Sequence, residues 1–479
     1  MGQEISRSQF TQQDFQRFQT YLRAETAQLT EWFRTERFVA RSGIGGFEIE
    51  AWLVDRHGNP APINEAFLER LADPLVVPEL SVFNIELNTP PLPLHGPVLR
   101  QMHTNLEALW QRCRLVAAEL DSRVMLIGIP PTLRAEHLTL EHMSGQQRYR
   151  AINEQILTRR RGRPMQLAIY GEETLHLTQS DVMLEAATTS FQTHLQVAMR
   201  DAADFFNAAL AVSAPMVAVS ANSPLLFGKR LWDETRIPVF EQGVDLAGGA
   251  SSDDLSHRRV GFGSGYVRQS LLELFAENLA HYPPLLAADP SGERAADQLP
   301  HLRLHNGTIW RWNRPLLGFE VDGTPHLRIE HRVMPAGPSI PDTIANAAFY
   351  YGLAHGLVRT QPPIALTLDF GQCRANFYAA ARDGLRAEVV WLQGRRVPLR
   401  QLLLEELLPL AEQGLLALDI DRSDVRHSLD IIAARVNTGR TGADWQRRFL
   451  ISHGSDLNAL TLAYLERQHG GQPVHEWEC

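Results

Sequence analysis

Four segments of the chain alternate between apolar and polar residues, which is the pattern of a β-strand with one buried face. Any one of them alone is equally compatible with an ordinary solvated face. Solvent faces usually carry lysine, however, and the polar positions of these four carry none. The four segments are residues 44–55, 80–88, 191–197 and 325–333. Their polar positions are occupied instead by Glu48, Glu50, Asn84, Glu86, Asn88, Gln192, His194, Gln196, Arg328, Glu330 and Arg332. These are metal- and phosphate-binding residue types, so we predict a sheet whose polar face is a reaction site.

Pairs of carboxylates on this face predict a divalent cation. Glu48 and Glu50 are two positions apart, and side chains so spaced lie about 7 Å from each other on one face of a strand. Their repulsion would raise both pKa values unless a cation lies between them. Carboxylate oxygens suit Mg²⁺ or Mn²⁺, so the candidate ligands are Glu48, Glu50, Glu86 and Glu330. His194 either completes the site as a nitrogen ligand or is a structural histidine.

Glu330 lies between Arg328 and Arg332 on the fourth predicted strand. One interpretation is a salt-bridged face without a further role. The other is that Glu330 holds the metal while an arginine binds phosphate oxygens, since a guanidinium makes bidentate contacts with them. Metal, arginine and carboxylate together are what phosphoryl transfer requires, because that reaction depends on positioning and on neutralising charge.

The rest of the sequence predicts helices around the sheet. Residues 214–220 form a short apolar segment that ends at the turn Asn222-Ser223-Pro224. Residues 243–265 are rich in glycine and serine, and they form either a lid over the site or a passive surface loop. No Walker A motif is present, and strands and helices do not alternate strictly, which indicates the α+β class. Helical periodicity is found at residues 10–36, 97–120, 198–212 and 342–358, and through most of the chain after 398.

Composition excludes several partners. The formal net charge is −9 and there is no lysine- or arginine-rich tail, so we expect no nucleic acid partner. Cys113, Cys373 and Cys479 show no paired spacing, which suits a reducing compartment. No window reaches the roughly 18 apolar residues of a membrane helix, and residues 1–23 contain no secretory signal. We therefore expect a cytoplasmic protein without a membrane partner.

Taken in order, these motifs resemble those of the glutamate–cysteine ligase family, in its carboxylate–amine ligase branch. Each motif is weak alone, but the ordered set spans residues 43–355. The matching stretches are Gly46-Phe-Glu-Ile-Glu50, Asn84-Ile-Glu-Leu-Asn88, Thr193-His-Leu-Gln-Val197, Ala221-Asn-Ser-Pro-Leu225, Phe227-Gly-Lys-Arg230, Glu234-Thr-Arg236 and Arg328-Ile-Glu-His-Arg332.

The resemblance implies a glutamine synthetase-like fold. A curved, mainly antiparallel sheet would form an active-site funnel, with helices on its outer face. Because the matched motifs end before residue 380, we take 1–380 as the catalytic domain and 381–479 as a mainly helical C-terminal region packed on it. The residues then have four implied roles: metal ligands (Glu48, Glu50, Glu86, His194, Glu330), catalytic clamps (Arg332, Arg314, Arg311), substrate binding (Asn222, Arg230, Arg236) and ATP binding (Gln196, Arg328).

The implied reaction is the ATP-dependent joining of glutamate to cysteine, with Mg²⁺ or Mn²⁺ as cofactor. A carboxylate attacks the γ-phosphate of ATP, an amine attacks the resulting acyl phosphate, and phosphate leaves. The amine cannot be read from the sequence, so a ligase of the same family that uses another amine stays open. A nucleotide-binding regulator without turnover and a metal-dependent amide hydrolase are the alternatives from other classes. A homo-oligomer also stays open.

Overall fold

The computed structural model describes residues 4–246, 258–290, 296–360 and 362–478. Its strands are β1 (Ile44–Asp55), β2 (Val76–Pro78), β3 (Asn84–Asn88), β4 (Leu92–Pro93), β5 (Ser122–Met125), β6 (Met165–Tyr170), β7 (Thr174–Gln179), β8 (Ser190–Val197), β9 (Leu225–Leu226), β10 (Lys229–Arg230), β11 (Val260–Gly261), β12 (Trp310–Arg311), β13 (Asn313–Phe319), β14 (Pro325–Pro335), β15 (Glu388–Trp391) and β16 (Arg395–Pro398). Eight of them form one sheet in the order β13-β14-β8-β1-β3-β2, with β4 and β5 also paired to β1. All these pairings are antiparallel, and the sheet curls into a half-barrel, so the predicted curved antiparallel sheet is confirmed.

The four alternating segments contain the strands at the centre of this sheet, β1, β3, β8 and β14. Their apolar positions, among them Phe47, Ile49, Phe191 and Ile329, are buried in the main hydrophobic core. The second segment is shorter than expected, because its strand begins only at Asn84. A register shift on β14, after His331, marks a β-bulge against β8. Bulges re-aim side chains, and this one lies beside the predicted site.

Helices cover the apolar face of the sheet. The described helices are α1 (Gln12–Arg34), α2 (Asn64–Leu71), α3 (Val98–Glu119), α4 (Gln147–Arg159), α5 (Ala202–Ser220), α6 (Arg236–Gly243), α7 (Leu272–His281), α8 (Pro300–Gly307), α9 (Ile340–Thr360), α10 (Ile364–Thr367), α11 (Phe370–Asp383), α12 (Leu399–Leu402), α13 (Leu408–Leu416), α14 (Arg422–Thr438), α15 (Gly442–His453) and α16 (Leu457–His469). α5 packs on β14 and α9 on β8. The Tyr351 hydroxyl of α9 donates to the Gly46 carbonyl of β1 over 2.9 Å. A Cβ at Gly45 would lie 2.9 Å from the Tyr351 ring, so this close approach requires glycine.

Helix α5 corrects two expectations. Residues 214–220, taken from the sequence as a separate apolar segment, are its second half. All residues from 205 to 220 are buried, and a helix that is apolar all round shows no amphipathic period. Met199–Ser220 is also long and apolar enough to cross a membrane, so the expectation that no window reaches that length was wrong. Because 89% of that apolar window is buried inside the protein, we interpret α5 as a core helix.

The C-terminal region is mainly helical in its described part, with α12 to α16 and the small β15–β16 hairpin. It is joined to the preceding chain by a buried ion pair, in which Nη2 of Arg435 lies 2.7 Å from Oδ1 of Asp342. One hydrophobic cluster runs across residue 380, since it contains Phe377, Leu402 and Val436. The boundary between two domains at 380 therefore stays a prediction.

Candidate active site

The antiparallel register brings the predicted polar residues together in rows. Residues directly opposite each other on neighbouring strands share one face of the sheet. Glu330 of β14 is opposite His194 of β8 and, on its other side, opposite Arg314 of β13. Glu50 of β1 is opposite Glu86 of β3. Residues from five different strands thus form one continuous polar surface.

Glu48, His194 and Glu330 form a cluster with the geometry of a metal site. One ligand atom from each lies within 4.8 Å of the other two. Nε2 of His194 is 3.3 Å from Oε1 of Glu48 and 4.0 Å from Oε1 of Glu330. His194 is only 7% exposed, yet neither of its ring nitrogens makes a hydrogen bond with any described residue. Buried polar atoms are rarely left without a partner, so two carboxylates and this imidazole fit a divalent cation.

Two arginines surround Glu330. Arg314 makes a bidentate contact, with Nε 2.7 Å from Oε2 and Nη2 2.9 Å from Oε1 of Glu330. Nη1 of Arg332 lies 3.2 Å from Oε2 and also donates to Gln192. Burial alone would raise the pKa of Glu330, but Arg314 and Arg332 hold it below the usual range. Glu330 is therefore ionised, as a metal ligand must be.

Arg328 differs from these two arginines. Its side chain faces the same cavity as Glu48 and Glu330, but it makes no hydrogen bond to a described residue, and its Nε is buried. Burial lowers its pKa, and the nearby Glu48 and Glu330 carboxylates oppose that shift. A buried guanidinium without a bound acceptor suits an anionic ligand.

Glu50 and Glu86 form no ion pair with an arginine or lysine among the described residues. Glu50 accepts hydrogen bonds from the Ser190 amide (2.6 Å), the Ser190 hydroxyl (2.9 Å) and Nε2 of Gln192 (3.1 Å). Burial, followed by the neighbouring Glu79 carboxylate, raises the pKa of Glu50 to about 7. Burial and Glu48 raise the pKa of Glu86 well above its usual value. A cation between these carboxylates would relieve both effects.

Two adjoining cavities open on this surface. The first, which we call the His194 cavity, has a volume of about 210 Å³. Its polar lining includes Glu48, His194 and Glu330 together with Arg303, Arg314 and Arg328, and its apolar lining comprises Phe275, Leu286, Leu304, Leu316 and Leu317. The second, the Glu50 cavity, has a volume of about 130 Å³. It is lined by Glu50, Glu79, Glu86 and Glu185, by Arg148 and Arg332, and by Tyr149, Phe240, Val244 and Trp310. Arg148, Ile152, Gly307 and Arg314 line both cavities.

Several lining residues were missed in the sequence because they do not lie on the alternating strands. Glu79 follows β2, Arg148 and Tyr149 open α4, Glu185 lies in the 3₁₀ turn Val182–Ala187, and Arg303 lies in α8. The Tyr149 hydroxyl donates to Oε2 of Glu79 over 3.2 Å and accepts from Nη2 of Arg148 over 2.5 Å. Glu79 could have been found by extending the alternation of β2 by one residue, but nothing local marks the other four.

Asn222 and Arg236, which were predicted to bind substrate, do not line either cavity. Asn222 is buried and bonds the Ala336 carbonyl and the Tyr464 hydroxyl, each over 2.8 Å. Arg236 is 2% exposed and donates to Glu234 over 3.0 Å and to the Val333 carbonyl at the bulge. Both side chains are used in hydrogen bonds that connect separate segments of the fold. Their contact with a substrate therefore stays a prediction that this geometry does not favour.

Arg230, Arg311 and Gln196 also lie outside the two cavities. Arg230 is on the exposed strand β10, with Nε 3.3 Å from Oε1 of Glu172. Arg311 is buried, with Nη2 2.9 Å from Glu277 and Nη1 2.6 Å from Asn278. Gln196 is opposite Arg328 on the polar face, but its amide donates to the Arg41 carbonyl and to Glu320, each over 3.4 Å. Their assigned roles likewise stay predictions.

The predicted lid at 243–265 is only partly described, because its residues 247–257 lie outside the described residues. Gly243 ends α6, and Val260–Gly261 pairs in parallel with Trp310–Arg311. Val244 and Trp310 both line the Glu50 cavity, so the two described ends of the loop flank that cavity.

Comparison with known proteins agrees with this geometry. No curated protein matches the chain. Among solved structures, the glutamate–cysteine ligase of Francisella tularensis in complex with AMP is similar over 92% of this chain and 91% of its own, with 13% identity and a TM-score of 0.56. A bifunctional glutathione synthetase from Pasteurella multocida matches 92% of this chain and 54% of its own, with 13% identity and a TM-score of 0.47. At these identities the Francisella likeness shows the fold alone.

The family follows from the sequence match. The model of the Glutamate-cysteine ligase family 2 (GCS2) matches residues 44–466, which include all eight strands of the large sheet and the polar residues on its face. The matched span covers most of the chain. The chain therefore belongs to the glutamate–cysteine ligase family, and it is a ligase of the ATP-dependent carboxylate–amine type.

Proposed function

We propose that this protein joins glutamate to cysteine, using ATP and Mg²⁺, and that the product is γ-glutamylcysteine. The observation that carries the proposal is the cluster of Glu48, His194 and Glu330, which lies next to Arg328, a guanidinium without a hydrogen bond to any described residue. This cluster is in a cavity that adjoins a second, acidic one. A nucleotide and an acid can thus meet at the shared wall.

The His194 cavity is the proposed ATP site. Its apolar lining offers a surface for the base, and Arg303, Arg314 and Arg328 offer guanidiniums to the phosphates. The AMP in the Francisella tularensis ligase, which has the same fold, supports a nucleotide as co-substrate. A divalent cation held by Glu48, His194 and Glu330 would supply further neutralisation of phosphate charge. Mn²⁺ fits the same donor set.

The first half-reaction is placed at the wall that the cavities share. The glutamate side-chain carboxylate attacks the γ-phosphorus, the bond to the β-phosphate oxygen breaks, and ADP leaves. Arg314 and Arg332 lie on either side of Glu330 at this wall, and they are positioned to stabilise the charge on the transferring phosphoryl group. The product is an acyl phosphate, which the buried surroundings protect from water.

The second half-reaction needs a proton acceptor, because an amine arrives as an ammonium and attacks only when neutral. Glu185 is the proposed acceptor, since its carboxylate lines the Glu50 cavity and makes no hydrogen bond to a described residue, whereas Glu79 is bonded by Tyr149 and the Leu80 amide. Glu185 takes one proton, the carbon–nitrogen bond forms, the bond from the acyl carbon to the phosphate oxygen breaks, and the second proton leaves with phosphate.

The test is phosphate release from Mg·ATP with glutamate, with and without cysteine, followed by mass analysis of the product. Cysteine-dependent release with the mass of γ-glutamylcysteine supports the proposal. Release that depends on glutamate but yields another amide keeps the ligase and assigns it another amine. ATP binding without turnover across a panel of amines favours a regulator, and amide cleavage without ATP favours a hydrolase. We also propose that the protein acts in the cytoplasm.

A further inference from the structure

Residues 4–34 precede the part of the chain that matches the family, yet they contact the walls of both cavities. Within this segment, α1 packs against α7 and α8, the two helices that carry Phe275 and Arg303 into the His194 cavity. The segment is therefore next to the nucleotide site without contributing a lining residue to it. Two glutamates, Glu4 and Glu25, make its contacts specific.

Glu25 of α1 caps the beginning of α8. Its Oε2 accepts from the Leu302 amide over 2.7 Å, and its Oε1 lies 2.6 Å from Nδ1 of His301. The residue that precedes α8, Leu299, provides no side-chain cap, so the carboxylate from α1 takes that place. The His301 ring is held between Phe18 and Tyr21 of α1, with centroid distances of 5.2 and 4.6 Å.

Glu4 does the same for α4. Its Oε1 accepts from the Gln147 amide over 2.9 Å and from the Arg148 amide over 3.3 Å. Gln146, which precedes α4, makes no side-chain cap either. A carboxylate at a helix N-terminus satisfies free amides and complements the helix dipole, so both contacts stabilise the first turn of a helix.

Both capped turns carry an arginine of the active site. The backbone amide of Arg148 is one of the two that donate to Glu4. Arg303 is the next residue after Leu302, whose amide donates to Glu25. Arg148 lines both cavities, whereas Arg303 lines only the His194 cavity. We propose that residues 4–34 form a positioning clamp, in which Glu25 sets Arg303 for the nucleotide phosphates and Glu4 sets Arg148 for the nucleotide and the acid. This inference rests on the proposed ATP site.

Three substitutions in the full-length protein test the clamp. Glu25→Gln keeps the size of the side chain but removes its charge and its pairing with His301. Loss of a helix cap corresponds to a roughly three- to tenfold change in an equilibrium. We expect the KM for Mg·ATP to rise by about that factor, with kcat and the KM for glutamate nearly unchanged. Glu4→Gln should raise both KM values. The matched control is Glu31→Gln, because Glu31 is on the same helix, is exposed and, among the described residues, forms an ion pair with Arg34 alone.

The outcomes separate this inference from the proposed function. If the wild type makes no amide, the proposed function fails, and the clamp is then measured by calorimetric binding of Mg·ATP to the same variants. The clamp is overturned if Glu25→Gln equals Glu31→Gln in its KM or Kd for Mg·ATP, or if it lowers only the Tm. It is also overturned if the wild type does not bind Mg·ATP at all.

Discussion

The two adjoining cavities differ in charge although they share one sheet face. The charged lining of the His194 cavity consists of two carboxylates, Glu48 and Glu330, together with four arginines and His194, and the pKa of Glu330 is lowered. The charged lining of the Glu50 cavity consists of four glutamates and three arginines, Arg148, Arg314 and Arg332. Burial and the neighbouring carboxylates raise the pKa values of Glu50 and Glu86. An excess of cations favours a polyphosphate, and an excess of carboxylates favours a metal ion or an ammonium. The polar face is thus divided by charge along its length.

The largest expected effect comes from removing the carboxylate of Glu330, which holds Arg314 and Arg332 at the wall between the cavities. Glu330→Gln loses a proposed metal ligand and the partner of Arg314 and Arg332. We expect ATP turnover to fall by about 10³-fold, because an oriented charge at the reacting phosphate is lost. The measurement is glutamate-dependent phosphate release, with circular dichroism to establish folding.

The matched control for this substitution is Glu320→Gln, which lies at the end of the same hairpin and pairs with Arg41 outside the cavities. It should turn over like the wild type. Near-normal turnover in Glu330→Gln would remove Glu330 from the metal site and make the His194 cavity an ordinary salt-bridged pocket.

Glu185→Gln tests the acidic character of the Glu50 cavity. We expect amide formation to fall by about 10²-fold, the low end of the contribution of a general base. Hydroxylamine is a neutral nucleophile near neutral pH, so trapping of the acyl phosphate as a hydroxamate should fall far less. The ratio of amide to hydroxamate, measured by mass spectrometry, reports the role. An unchanged ratio would assign Glu185 to packing or to a metal ion instead.

Arg328→Ala tests the cationic character of the His194 cavity. Because Arg328 makes no hydrogen bond to a described residue, its removal breaks none within the described part of the chain. We expect the KM for Mg·ATP to rise roughly tenfold, the value of one hydrogen bond to a charged group, with little change in the Tm. Arg230→Ala is the control, since Arg230 is exposed and lines neither cavity. Equal KM values for the two variants would contradict a phosphate contact by Arg328.

The smallest expected effect is the pH dependence of stability in metal-free protein. Burial raises the pKa of Glu50 from 4.5 to about 7, so between these values the folded state binds more protons than the unfolded state. The stability should therefore fall as pH rises through this window. Urea denaturation at several pH values measures it. Mg²⁺ and Glu50→Gln should each flatten the slope, and a slope that neither changes would belong to other groups.

The polar face could be predicted from the sequence because alternation along a strand is a local property. Glu48, Glu50, Glu86, His194 and Glu330 all lie on the face that the period of two assigns to them. Their division into two cavities could not be predicted. It depends on the register between strands and on the bulge in β14, and both arise from the packing of the whole sheet.

The predictions that the geometry does not favour were made from motifs without a strand pattern. Asn222 and Arg236 belong to matched motifs, but the fold places them against the C-terminal helices and the bulge. A motif records that a residue type is kept at a position, and a buried structural contact requires that as strictly as a ligand does. Only burial and partners distinguish the two.

The sequence by itself determined the α+β class, the polar face of the sheet and the family, because side-chain periodicity and ordered motifs are properties of the chain. The tertiary structure alone decided which walls close the site. Arg148, Glu185 and Arg303 come from a helix start, a 3₁₀ turn and another helix, and Glu4 and Glu25 cap two of these elements from the N-terminal segment. These contacts join residues up to 277 positions apart, and no local pattern encodes a separation of that length.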